Sequence, residues 1–255
     1  MVNRTLNAIG VMAFFGVLFL TQGGRAQGQG KGKGGAPAAA QTAKGSAPID
    51  LTGYWVSVVT EDWRYRMVMP TKGDFQGIGM TPEGRKLADV FDPAKPTGDA
   101  CAAYGAPAVL RIPGRLHLTW QDESTLKMDT DAGKQTRLFH FGNWQAPAGP
   151  ATLQGNTKAE WERGGGRGAT NGWMTATTNN LTAGLLRKNG VPYSDATSLT
   201  EHYDLIKLPN GDPLLVVTVI TTDPKYLRAP LIVTTHFRKE ASEAKWHPSE
   251  CSSTW

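Results

Sequence analysis

From Leu116 onward the chain repeats one pattern: apolar and polar residues alternate for five or six positions, then a cluster of turn residues interrupts them. Leu116-His117-Leu118-Thr119-Trp120 alternates, and so does Leu126-Lys127-Met128-Asp129-Thr130, with Asp122-Glu123-Ser124 between them. Arg137-Leu138-Phe139-His140-Phe141 follows the Asp131-Ala132-Gly133 turn. A period of two bounded by such turns predicts three strands of an antiparallel meander. Thr157–Glu162 and Trp173–Thr178 read as a second pair around the glycine-rich loop Gly164–Gly168. Ser198–Lys207 and Leu214–Thr222 form a hairpin around Pro209-Asn210-Gly211-Asp212, and Leu231–Lys239 returns beside it. Helical spacing is confined to Thr81–Phe91, where Thr81 is placed as N-cap and Pro82 in the first turn. The expected fold is all-β: an antiparallel meander closing into a barrel of about eight to ten strands, with one short helix near 81–91. A two-sheet β-sandwich fits the same strand count.

The first strand raises a separate question. Leu51–Pro70, "LTGYWVSVVTEDWRYRMVMP", opens with apolar residues and runs into Glu61-Asp62-Trp63-Arg64-Tyr65-Arg66. If one strand continues throughout, counting by two from Trp55 sends Glu61, Trp63 and Tyr65 inward. Asp62, Arg64 and Arg66 then share the outer face. A carboxylate between apolar rings would have a raised pKa and could serve as an acid or base near neutral pH.

Composition changes the picture mainly at the N-terminus. Arg4, the apolar run Ala8–Leu20 and the small residues Gly24 and Ala26 have the form of a secretory signal over residues 1–26. The run is too short for a comfortable transmembrane span, so no transmembrane segment is expected after cleavage. Residues 27–48, "QGQGKGKGGAPAAAQTAKGSAP", lack large apolar side chains and read as a disordered linker, leaving a single β domain over 49–255. Arg4, Arg25, Lys31, Lys33 and Lys44 precede the first acid, Asp50; beyond them 22 cations face 22 acids. The basic balance therefore belongs to the leader and linker. A formally neutral domain argues against a nucleic-acid partner. Cys101 and Cys251 are the only cysteines, and an isolated pair in an exported chain predicts one disulfide.

Two resemblances bear on the fold and the compartment. Gly53-x-Trp55 near the start of the first strand resembles the opening of lipocalin-type barrels, which implies that Trp55 plugs a closed end. "VTEDWRYRMV", "CAAYGAPAVLRIPGRLHLTWQDESTLKMDTDAGKQTRLFHFG", "LLRKNGVPYSDA" and "DPKYL" resemble an uncharacterised family of secreted bacterial proteins. That resemblance implies export and names no activity.

Candidate chemistry is dispersed. His117, His140, His202 and His236 fall inside predicted strands, without the local spacing of a metal site. His140 and His236 are the histidines best placed for a cavity. Arg187, Lys188 and Tyr193 lie in the segment "LLRKNGVPYSDATS", read as a loop at the barrel rim. Ser194-Asp195 lacks the G-x-S-x-G context of a hydrolase nucleophile. Eight tryptophans suit a barrel with aromatic side chains to spare. The expected function is binding of a small apolar or aromatic molecule in an aromatic-lined cavity, with Trp63 and Tyr65 inside and Arg187, Lys188 and Tyr193 at the rim. Two other readings fit the residues: a cofactor-independent lyase, isomerase or hydrolase using Glu61 with His140 or His236, and a structural or partner-binding envelope protein. No cofactor is implied.

Overall fold

A computed structural model describes residues 41–96, 98–165 and 171–254. The proposed signal, the first part of the proposed linker and most of the Gly164–Gly168 loop lie outside the described residues. Strands β1 (Gly53–Ser57), β2 (Arg115–Trp120), β3 (Thr125–Thr130), β4 (Thr136–Phe141), β5 (Asn156–Arg163) and β6 (Gly172–Asn179) supply the first part of the sheet. A small hairpin follows, β7 (Gly184–Arg187) and β8 (Val191–Tyr193). The long strands β9 (Ser198–Lys207), β10 (Pro213–Thr222) and β11 (Leu231–Glu240) complete it. The order β1-β11-β10-β9-β6-β5-β4-β3-β2 closes on itself, because β1 pairs with both β11 and β2. Closure into nine strands excludes the sandwich. One ladder departs from the antiparallel expectation. β5 runs parallel to β4, with Phe139 opposite Thr157, because the long connection 142–155 carries the chain back to the end from which β4 started.

Alternation decides what fills the barrel. Trp55 and Ser57 of β1, Leu116 and Leu118 of β2, Phe139 of β4, Tyr203 of β9, Val217 of β10 and Phe237 of β11 are all buried. The indole N–H of Trp55 donates to the Leu51 carbonyl at 2.9 Å. Inside this apolar packing sits a complete ion pair. Arg137 of β4 donates to both carboxylate oxygens of Glu201 on β9, at 2.8 and 2.5 Å, and the Tyr203 hydroxyl donates to the same carboxylate at 3.1 Å. Burial opposes charge on Arg137, but Glu201 outweighs it and holds the guanidinium above its ordinary range. Burial and the Glu201 charge together push Tyr203 well above its own.

The two barrel ends differ. At one, the rings of Trp120, Phe141 and Trp161 gather with centroids 5.1–6.4 Å apart. Residues 41–48 lie across that end, correcting their assignment to a disordered linker. Trp161 Nε1 donates to the Ala43 carbonyl at 2.8 Å, Lys44 N to the Glu123 carbonyl at 3.1 Å, and Arg163 to the Ser46 carbonyl at 2.7 Å. Hydrogen bonds, most of them to backbone carbonyls, tie this segment down beside the packing of the small Ala43 side chain, and a reading based on hydrophobicity does not register them.

At the other end the chain caps the barrel with non-strand segments. Helix α1 (Trp63–Arg66) follows β1 after a turn, and helix α2 (Pro82–Val90) begins at Thr81, whose hydroxyl accepts from Gly84 N. Among the described residues no helix is long and apolar enough to cross a membrane. Cys101 and Cys251 are joined by a disulfide.

Candidate functional site

The cap starts where the first strand stops. Alternation holds from Gly53 to Ser57, and Val58 N still donates to the His236 carbonyl at 2.8 Å. Asp62 then takes a left-handed backbone conformation (φ 55°), and the next four residues form a helical turn. The expected inward set, Glu61 with Trp63 and Tyr65, and the expected outward set, Asp62 with Arg64 and Arg66, are therefore both incorrect. Trp63 is 58% exposed, whereas Arg66 is fully buried. Helical spacing replaces the period of two, so residues three or four apart share a face.

Arg66 organises the turn from beneath. Its Nε donates to the Arg111 carbonyl at 3.2 Å, and its Nη1 donates to the Val58 carbonyl at 2.6 Å and to Glu61 at 3.4 Å. Its Nη2 is buried without a partner among the described residues. Burial, and then the charge of Arg111, bring Arg66 down to about 10, opposed by Glu61 and Asp62. Glu61 also accepts from the backbone N–H of His236 at 2.9 Å and pairs with the Nδ1 of the same residue. Sequence-predicted Glu61 and His236 thus meet, but on the outer wall of the barrel. On β11 the buried residues are Thr235 and Phe237, so His236 faces away from the lumen. His140 is outward on β4 as well, stacked on Trp144 at 4.1 Å between centroids and remote from Glu61 in the fold. Burial lowers the pKa of His140, opposed by Asp122.

A pocket opens at the capped mouth, between α1, the segment 103–112, the β7–β8 hairpin and the ends of β10 and β11. Its free volume is about 50 Å³. A single water occupies roughly 10–15 Å³, so the pocket takes a small molecule rather than a large one. Ile78, Leu110, Leu186, Val219, Leu231 and Val233 form an aliphatic wall. The polar wall is Asp62, Tyr65, Arg111, Arg187, Lys188 and Thr221. Tyr65 is its one aromatic lining residue, so the pocket is aliphatic where an aromatic lining was expected.

The cations among these lining residues are held by the cap, by β11 and by the C-terminal tail. Arg111 Nη2 donates to Asp62 at 2.6 Å, and Nη1 reaches Thr235 at 3.4 Å. Arg187 lies over the Tyr65 ring at 4.1 Å and donates to the Gln76 carbonyl at 2.8 Å. Desolvation lowers the pKa of both, and at Arg187 the charge of Arg111 adds to it, opposed by Tyr65, Asp62 and Asp74. Lys188 is 5% exposed and donates to the Tyr104 hydroxyl at 3.2 Å and the Thr254 carbonyl at 3.1 Å. Burial takes it down to about 8.

The segment carrying Arg187 and Lys188 is a hairpin, not an open loop. Gly190 turns it at φ +94°, and a Cβ there would lie 2.3 Å from Phe91. The adjacent Asn189 side chain donates to the Thr71 and Asp74 carbonyls at 3.2 and 2.8 Å, fixing the hairpin to the loop after α1. No protein family, no curated protein and no solved structure matches this chain.

The structure brings Tyr65, Arg187 and Lys188 to one pocket and adds Arg111 and Asp62, which the sequence reading did not select. Arg111 follows Leu110 in a short turn of helix, where no period of two marks its direction. Trp63 is outside the lining. Tyr193 is fully buried, its hydroxyl unpartnered among the described residues, and burial pushes its pKa far up. Asp62 pairs with Arg111, Arg64 with Asp74 at 2.7 Å, and Arg66 is internal. The three residues expected to share one outer face are therefore dispersed. Ser194 donates its backbone N–H and hydroxyl to Asp223 at 2.6 and 2.8 Å, which closes the loop into β9. Hydrogen bonds from Ser194, Lys225 and Tyr226 hold that carboxyl low against the cost of burial. Among the described residues no cluster of metal-ligating side chains occurs.

Proposed function

We propose that this chain is an exported barrel that binds a small, largely aliphatic molecule at its capped mouth. The observation that carries the reading is the lining composition: mostly aliphatic side chains with a few fixed polar groups among them, the usual make-up of a ligand pocket. The rest of the lumen supports it by being packed, with Trp55, Met128, Phe139 and Tyr203 all at 0% exposure. Export is supported by the disulfide, since such bonds persist in oxidising compartments. Binding is favoured over acid/base catalysis because neither Glu61 nor His236 is among the pocket's lining residues, and their hydrogen bonds anchor the cap.

The test is native mass spectrometry of the protein recovered from the envelope or medium of cells that make it. A small-molecule adduct is expected in the wild type and not in Leu231→Trp, which fills the pocket. An adduct that persists unchanged in the folded Leu231→Trp variant would move the ligand elsewhere.

A further inference from the structure

We infer that the occupant of the mouth pocket is a short-chain aliphatic carboxylate, its acid group between Arg111 and Arg187 and its carbon chain against Val219, Leu231 and Val233. This rests on the reading of the pocket as a ligand site and specifies the class of ligand.

The first argument is charge. Three guanidinium groups, Arg66, Arg111 and Arg187, are desolvated around the cap, and the charge of Arg111 acts unfavourably on each of the other two. The carboxylates assigned to them are Glu61 and Asp62. Glu61 is shared with His236, and Asp74 is taken by Arg64. Among the described residues Arg187 has no ion-pair partner of its own, only the Gln76 carbonyl and the Tyr65 ring, and a monovalent anion at the mouth supplies one. A guanidinium carries five N–H donors, and Arg binds carboxylates in bidentate fashion. Hydrogen bonds among the described residues take two of these donors at Arg111 and one at Arg187.

The second argument is shape. Arg111 and Arg187 belong to the cap, whereas Val219, Leu231 and Val233 belong to β10 and β11, and all five line the same pocket. A ligand reaching both must have an anionic end and an aliphatic end. The third is size. About 50 Å³ holds roughly three to five water-sized groups, which suits the carbon chain of a propionate- to isovalerate-sized acid with its carboxylate at the open mouth, not an extended fatty chain. An inorganic anion would satisfy the arginines and leave the aliphatic wall bare.

The experiment is a titration of the purified full-length protein with isobutyrate, followed by methyl NMR shifts of Val219, Leu231 and Val233 and by calorimetry. Isobutyramide, octanoate and inorganic phosphate are titrated in parallel. Saturable one-to-one binding of isobutyrate is expected, at least about tenfold tighter than isobutyramide, because the charge-assisted bonds are lost in the amide. Octanoate and phosphate should bind more weakly than isobutyrate. Arg187→Gln should reduce the preference for acid over amide, read as the ratio of the two affinities within that variant. Equal binding of acid and amide would overturn the carboxylate inference and leave the pocket reading intact. Tighter binding of octanoate or phosphate would overturn the size or chain argument in the same way. No response to any of the four would overturn the inference, and the pocket reading would then be decided by the adduct experiment above. The amide comparison needs no substitution, so the answer does not depend on how Arg187→Gln folds.

Discussion

At the scale of single residues, the most consequential side chains carry charge out of the solvent. Arg137 and Glu201 are 1% and 0% exposed and lie inside the barrel. Removing one partner strands the other's charge, which costs about 3–5 kcal/mol. Arg137→Met is therefore expected to lower unfolding free energy by that amount in urea titrations. Adding Glu201→Leu should recover most of the loss, short of the roughly 1–3 kcal/mol for leaving the Tyr203 hydroxyl without its acceptor. Costs that simply add in the double variant would mean the two residues are not energetically coupled. This pair was written in the alternation: Arg137 shares a parity with Phe139 and Phe141, and Glu201 with Leu199 and Tyr203. Opposite charges on the inward faces of two different strands were a signal that could have been read. Arg66 was not legible in this way, because its burial depends on a turn that the strand pattern does not reveal.

At the scale of elements, the sequence was a good guide wherever the period of two was uninterrupted. β9, β10 and β11 lie within a residue of the expected boundaries, and α2 begins at its expected cap. The failures share one cause. From Val58 to Pro70, over 101–112 and along 41–48, short local turns are fastened by hydrogen bonds to distant segments, such as Arg66 to the Arg111 carbonyl, Ala106 N to the Leu153 carbonyl and Lys44 N to the Glu123 carbonyl, and no local periodicity encodes them. The candidate site is built from such segments, so its individual cations were visible but their assembly was not. The same argument yields a test of the 41–48 segment. Chains beginning at Gln41 and at Ile49 are compared by thermal unfolding. The shorter chain loses the acceptors of Trp161 and Arg163 and uncovers the Trp120–Phe141–Trp161 cluster. Its melting temperature should fall by several degrees, since each 1 kcal/mol is worth about 2–4 °C in a domain of this size. Equal melting temperatures would show that the segment contributes nothing to the barrel's stability.

At the scale of the whole molecule, the cap and the C-terminal tail are fastened to each other as well as to the barrel. Cys251 in the tail is bonded to Cys101, two residues before the segment that walls the pocket, across 150 positions of sequence. Around this bond the tail pairs with the β3–β4 turn, Ser249 N to the Asp131 carbonyl at 2.8 Å and Gly133 N to the Ser249 carbonyl at 2.9 Å. It also meets the cap, where Ser252 N donates to the Tyr104 hydroxyl at 3.1 Å and Lys188 reaches the Thr254 carbonyl. The barrel itself closes through backbone ladders that do not involve either cysteine. Replacing both cysteines by serine is therefore expected to lower global stability by about 2–5 kcal/mol, the usual cost of losing a native disulfide. The loosening should be local as well as global. In hydrogen exchange, the amides of Ala102, Tyr104, Ala106 and Val109, bonded to Asp99, Cys101, Leu153 and Gly105, should lose more protection than those of β9 and β10. Isobutyrate affinity should fall with them, because Arg111 rides on that segment. Uniform loss of protection across cap and strands would show that cap and barrel open as one cooperative unit, with the disulfide stabilising the molecule as a whole.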